Sequence, residues 1–158
     1  ASVVKIATNL ISATAVEALA EAHALLDKSG IDLRKLSLAL QANVSNSALA
    51  EAKIPVMLTG DFEPRFSLKH MFKDIQLALG LAAEKDIDLP AASAFAGAAM
   101  AGIQQGWGDS DFSVISRFYG FPGQGHPLPD LPESKSAPAA ERAETKPART
   151  WGLFRGAK

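Results

Sequence analysis

Ser2-Val3-Val4-Lys5-Ile6-Ala7-Thr8-Asn9-Leu10-Ile11-Ser12-Ala13-Thr14-Ala15-Val16 opens a run that stays rich in Ala, Leu, Ile and Val as far as Lys28, without a glycine or a proline. Such a stretch predicts one long helix, stopped at Ser29-Gly30, where glycine supplies the left-handed turn that ends helices. Lys5 is the only charged residue between Ala1 and Val16. On a helical wheel Lys5, Thr8, Asn9 and Ser12 fall on one narrow stripe. Val4, Ile11 and Ala15 flank it on one side, and Ile6, Leu10 and Ala13 on the other. A surface helix carries a broad charged face instead. The thin stripe therefore predicts a buried helix facing a small polar cavity.

Burial penalises the charged form of a lysine, and a lysine moved toward neutrality can exchange a proton near neutral pH. Asn9, one turn on, can donate and accept hydrogen bonds. The pair is thus a candidate for holding a substrate hydroxyl and moving its proton. The competing reading is a lysine that extends from a packed helix to solvent; spacing alone leaves both open.

Beyond Gly30 the sequence predicts further helices. Asp32 caps a second from Leu33 to about Gln41, and Ser45 or Asn46 caps a short third within Asn43 to Ala52. Pro55, Gly60 and Pro64 mark an irregular connection through Arg65. A fourth helix, about Ser67 to Lys85, keeps Leu68, Phe72, Ile75, Leu79 and Ala82 at helical spacing. Its other face carries Lys69, Lys73 and Gln76, and His70 and Asp74 stand four apart, spaced to pair. That face suits either a carboxylate or nucleotide ligand, or plain solvation. Pro90 opens a fifth helix ending near Gly106, with Ala94, Ala98, Gly102 and Gly106 spaced for close packing. Asp109 or Ser110 caps a short last helix to about Phe118. No stretch alternates with period two, so the expected fold is all-α: one long helix packed by four or five shorter ones.

After Gly120 prolines recur among Gly, Ser, Ala and mixed charges. Little apolar surface is available to offset ordering entropy, so residues 1–120 are expected to be the domain and 121–158 a disordered tail. Trp151, Leu153 and Phe154 break that pattern, either as a docking element or incidentally.

The 158 residues carry 16 basic and 17 acidic side chains and no cysteine. The charge balance argues against a dedicated nucleic-acid binder. Missing cysteine excludes disulfides, thiolate metal sites and cysteine nucleophiles, and fits a reducing cytoplasm. Leu89 to Ile103 is apolar but too short to span a bilayer, so no membrane partner is expected. His23, His70 and His126 are scattered, His23 fitting a surface or core residue better than a ligand, and no metal is expected. Ala1 begins in what already reads as helix interior, so the chain is expected to be cut from a longer protein.

Lys5-Ile6-Ala7-Thr8-Asn9 resembles the lysine-to-asparagine motif of the β-hydroxyacid dehydrogenases, the group that includes 3-hydroxyisobutyrate dehydrogenase, tartronate semialdehyde reductase and glyoxylate/succinic semialdehyde reductase. The run Phe66-Ser67-Leu68-Lys69-His70-Met71-Phe72-Lys73-Asp74-Ile75-Gln76-Leu77-Ala78 resembles the second signature of that family. Leu89-Pro90 and Gly108-Asp109-Ser110-Asp111-Phe112-Ser113 resemble its closing segments. The ordered motifs span about residues 1 to 118.

The resemblance implies the helical C-terminal domain of 6-phosphogluconate-dehydrogenase-like type, working with an N-terminal Rossmann domain that binds NAD or NADP, and forming homo-oligomer contacts. By that resemblance Lys5 is the catalytic acid–base and Asn9 orients the hydroxyacid or semialdehyde substrate. Phe66 walls the pocket, Lys73 contacts the cofactor, and Asp74 supports it. The sequence departs from the family in lacking the glycine-rich stretch before the lysine, the dinucleotide fold and a counterpart to the tail. The segment alone is therefore expected to be inactive, because hydride chemistry belongs to a cofactor that must be bound and aimed. The alternative is a non-catalytic helical module for oligomerisation or interaction. An imine reductase relative is disfavoured by the lysine at position 5.

Overall fold

The computed structural model describes residues 2–32 and 34–120. Over these residues the architecture is all-helical. Helices α1 (Val3–Lys28), α2 (Arg34–Gln41), α3 (Ala48–Thr59), α4 (Leu68–Glu84) and α5 (Pro90–Gln104) are followed by a 3₁₀ helix, Phe112–Tyr119. Among the described residues the only extended pairing is an isolated antiparallel bridge between Ser67 and Asp111. The expected start of the second helix at Leu33 lies outside the described residues, as do the expected disorder of 121–158 and the proposed docking of Trp151, Leu153 and Phe154.

Ser2 caps α1 by accepting from the Lys5 backbone N–H at 3.2 Å. The 26-residue helix ends at Ser29, with Gly30 in the left-handed region at φ 68°. By length and composition alone α1 could cross a bilayer. In this fold it is the central strut, with α3, α4, α5 and the 3₁₀ helix packed against it. Ile6, Ala13, Val16 and Ala20 are buried on one side. Apolar residues also occupy the other side, where Val4, Ile11 and Leu25 are exposed.

The third helix departs from the expectation. Its cap is Ser47, whose hydroxyl accepts from Ala50 N–H at 3.1 Å, and it runs on through Pro55 to Thr59. A proline inside a helix removes one backbone bond and costs about 3 kcal/mol. Here Pro55 itself faces solvent, while the neighbouring Lys53, Ile54 and Met57 are buried, and that burial overrides the local penalty. The helix stops at Gly60, left-handed at φ 73°.

The α4–α5 contact bears out the small-residue reading at its centre. A Cβ on Gly102 would lie 2.8 Å from Leu68 Cδ2 and 3.4 Å from Trp107 Cε3, so any larger residue would have to displace the fully buried Leu68 side chain. Gly106 lies past the end of α5 and takes no part in that packing. The fully buried Phe95, Leu68, Met71, Ile75 and Ile115 fill the centre of the core. The closing helix is 3₁₀ rather than α, and its cap is Asp111 rather than Asp109 or Ser110; Asp111 accepts from Ser113 N–H at 3.1 Å.

Candidate active site

The two segments singled out in the sequence meet on one face. The Asn9 side-chain amide on α1 donates to Asp74 Oδ2 on α4 at 2.6 Å. The Lys5 ammonium stands 3.9 Å from the same oxygen. Asp74 therefore joins the lysine and the asparagine across 65 residues of sequence. Thr8 and Ser12, on the same stripe, donate their hydroxyls to the carbonyls of Lys5 and Thr8 at 2.9 and 3.1 Å. Their protons are thus satisfied within α1, and what they offer outward is lone pairs.

The expected burial of Lys5 does not hold in this chain. Its side chain is 61% exposed, against 13% for Asp74. Val3 and Val4 beside Lys5 are exposed as well, while Ile6 on the same turn is buried. An ion pair this open is worth about 0–1 kcal/mol and does not by itself hold the amine.

The expected His70–Asp74 pair is not formed. His70 Nδ1 lies 2.7 Å from the Ser67 hydroxyl, while Asp74 is committed to Asn9. Lys73 is exposed, one position before Asp74. Lys69 pairs with Asp109 at 2.5 Å and holds its carboxyl below the usual range. Phe66 is half-buried in the approach to α4, edge-on to Phe112 with centroids 6.4 Å apart and 6.2 Å from the His70 ring. The structure thus gathers Lys5, Asn9 and Asp74 through direct contacts. Phe66 stands just before the first turn of α4, against His70 and Phe112, and makes no direct contact with these three, while Lys73 is exposed on that helix.

Two buried polar pairs escaped the sequence reading. Lys53 and Asp111 form an ion pair at 2.7 and 2.8 Å, with side chains only 7% and 1% exposed. Burial works against the Asp111 carboxylate, but the Lys53 and Ser113 hydrogen bonds prevail and hold it below its ordinary value. The signal was available in Lys53, which leads directly into the uncharged run Ile54-Pro55-Val56-Met57-Leu58. The second pair is Glu17, buried on α1, which accepts from the Tyr119 hydroxyl. Desolvation pushes the Glu17 carboxyl up to about 7; the Tyr119 bond opposes this and Glu21 adds to it. The same burial raises Tyr119. His23 proves to be a core residue, pushed down to about 4 by burial, with Asp27 opposing. Among the described residues no group of three or more His, Asp or Glu is placed to hold a metal.

An all-helical domain that brings Lys5 and Asn9 together on the Asp74 carboxylate is consistent with the β-hydroxyacid dehydrogenase motifs seen in the sequence. Comparison with known proteins agrees. The family model described as the NAD-binding of NADP-dependent 3-hydroxyisobutyrate dehydrogenase matches residues 1–119. The chain belongs to the β-hydroxyacid dehydrogenase family. It is similar to glyoxylate/succinic semialdehyde reductase 1 of Arabidopsis thaliana, 33% identical over 111 residues, covering 70% of this chain and 38% of that protein. It is also 30% identical over 106 residues to the cytokine-like nuclear factor N-PAC of Aedes aegypti, covering 67% of this chain and 19% of that one. A crystal structure of 3-hydroxyisobutyrate dehydrogenase from Salmonella typhimurium superposes with a TM-score of 0.69 at 28% identity, covering 74% of this chain and 41% of that chain. The chain thus spans about two-fifths of the length of the dehydrogenase and reductase it resembles.

Proposed function

We propose that this chain is the helical, substrate-side part of an NAD(P)-dependent oxidoreductase that interconverts a β-hydroxyacid and its semialdehyde, and that it acts joined to a dinucleotide-binding domain. One observation carries the reading: Asp74 binds the Asn9 amide at 2.6 Å and lies 3.9 Å from the Lys5 ammonium, so both signature segments converge on one carboxylate. A structural helix face has no need for that convergence.

The Asp74 bond uses one hydrogen of the Asn9 amide and fixes its direction. Its carbonyl oxygen and second N–H then point a substrate hydroxyl toward Lys5. In oxidation Lys5 takes the hydroxyl proton as the C–H hydrogen leaves as hydride; in reduction the ammonium returns the proton to the nascent alkoxide. A nicotinamide cofactor, when bound, accepts or supplies the hydride. Lys73, exposed one position before Asp74, would offer a cation to the phosphates of that cofactor.

Lys5→Met in the full-length protein tests the role. Turnover should fall about 10²- to 10⁴-fold, the usual worth of a positioned acid–base group, with cofactor affinity kept. Unchanged turnover would remove Lys5 from the chemistry.

The second reading is a non-catalytic module of the same family, favoured by the likeness to the nuclear factor N-PAC and by the exposure of Lys5. Hydride transfer in the full-length protein, followed as nicotinamide absorbance with a panel of short hydroxyacids, separates the two.

A further inference from the structure

The Lys53–Asp111 ion pair has no part in the proton chemistry, yet it is the most deeply buried charge cluster in the described fold. Burying an ion pair is a poor way to gain stability, since apolar residues of similar volume commonly serve as well. Its partners therefore bear on its role. Asp111 Oδ1 is occupied by Lys53 and by Ser113. Asp111 Oδ2, besides Lys53, accepts from the backbone N–H of Arg65 at 3.3 Å and of Phe66 at 3.5 Å. The Phe66 carbonyl in turn accepts from Phe112 N–H at 3.0 Å. The Phe66 ring meets Phe112 edge-on, and the Lys53 ammonium lies 4.4 Å from the centroid of that same Phe112 ring. One carboxylate and one ammonium therefore bear on both the backbone and the ring support of Phe66, from helices far apart in sequence.

We infer that the buried Lys53–Asp111 pair is a positioning device for Phe66, fixing the backbone and ring of that residue at the entrance to α4. Its consequence for catalysis rests on the dehydrogenase reading above, in which Phe66 walls the substrate pocket. Lys53 and Asp111 do not touch the reacting atoms. They act through a loop that could otherwise shift, because charge-assisted bonds hold it about twice as strongly as neutral ones.

Removing one partner alone leaves a bare buried charge and risks unfolding. The test therefore replaces both, as Lys53→Met/Asp111→Asn. In the 158-residue chain, amide hydrogen exchange should quicken at least tenfold at Phe66 and Phe112, while core amides of α1 such as Ala20 hold their protection. Unchanged exchange at Phe66 and Phe112 overturns the inference, and so does a uniform rise across the core, which would mark a merely structural pair. In the full-length enzyme the double variant should raise KM for the hydroxyacid about tenfold with kcat nearly kept. On a Phe66→Ala background the same replacement should add nothing, since both changes act through one side chain. Effects that multiply on that background overturn the inference. Lack of hydroxyacid turnover in the wild type would instead refute the dehydrogenase reading, and the exchange result would still decide whether the pair holds Phe66.

Discussion

Replacing Glu17 with Gln should change how stability depends on pH more than it changes stability at any one pH. The Glu17 carboxyl is buried against the Tyr119 hydroxyl and titrates at about 7 in the fold, against 4.5 when unperturbed. A raised carboxyl pKa means that the folded state holds the proton more tightly than the unfolded state. The stabilisation from the neutral acid is therefore fully present below pH 4.5, is lost progressively as pH rises, and is gone above about 7. At about 1.4 kcal/mol per pH unit, the window is worth on the order of 3 kcal/mol. Glutamine keeps the volume and an oxygen for Tyr119 but cannot ionise. Its extra N–H₂ occupies a place where Glu17 Oε2 is buried without a hydrogen-bond partner, which costs a roughly constant amount at every pH. Comparing two pH values cancels that constant. His23, pushed down to about 4, imposes the opposite trend between 4 and 6.5, but it is common to both proteins and drops out. Urea unfolding followed by helical circular dichroism at pH 5 and pH 8 should show wild type losing about 3 kcal/mol more than Glu17→Gln across that interval. Parallel pH dependence in the two proteins would refute the burial argument for Glu17.

Tyr119→Phe removes the bond that the ionised carboxylate needs most, so its cost should be greater at pH 8 than at pH 5. The expectation is about 2 against about 1 kcal/mol, read from the same urea curves. Gly102→Val drives a branched side chain into Leu68 and Trp107; a loss of about 3 kcal/mol and a lowered Tm in thermal melts are expected. Ser47→Ala should cost about 1 kcal/mol, while Ser45→Ala, outside the cap, should leave the melting temperature within error.

The helices were legible where periodicity and punctuation agree. The end of α1 at Ser29-Gly30 and the opening of α5 at Pro90 follow from local chemistry, and the structure keeps them. Pro55 misled because a proline's local penalty is visible in sequence, whereas the burial of Ile54 and Met57 that overrides it depends on long-range packing. The last cap was misplaced for a similar reason. Asp109, Ser110 and Asp111 are equally good caps in isolation, and the choice falls to Asp111 because Lys53, 58 residues away, holds its carboxylate. At the site, spacing placed Lys5 and Asn9 on one stripe, but it assigned Asp74 to His70. Residues four apart on a helix are always near enough to pair, and the competitor on α1 is invisible until the helices cross. Glu17 shares the i, i+4 spacing of a solvated acid pair with Glu21, and only the approach of Tyr119, 102 residues away, shows that it is buried.

Lys5 and its exposed apolar neighbours share the N-terminal turns of α1. Val3, Val4 and Ile11 stand 63%, 73% and 64% exposed on those turns, and the Lys5 side chain is itself mostly in water. A body seated on that rim would gain on the order of 4 kcal/mol from the three side chains, allowing about 1.5–3 kcal/mol for a fully buried one. The same act would strip water from the lysine, at a cost of several kcal/mol offset by Asp74 and Asn9, which are already in place. The two quantities are of the same size, so rim and amine can be covered together at little net cost, whereas a bare apolar surface would gain more by covering a helix without a lysine. The aliphatic flanks that suggested a buried amine therefore have a physical use even in a chain where the amine is open. Under the proposed function, a surface seated on these turns would also dehydrate the amine beside Asn9 and Asp74.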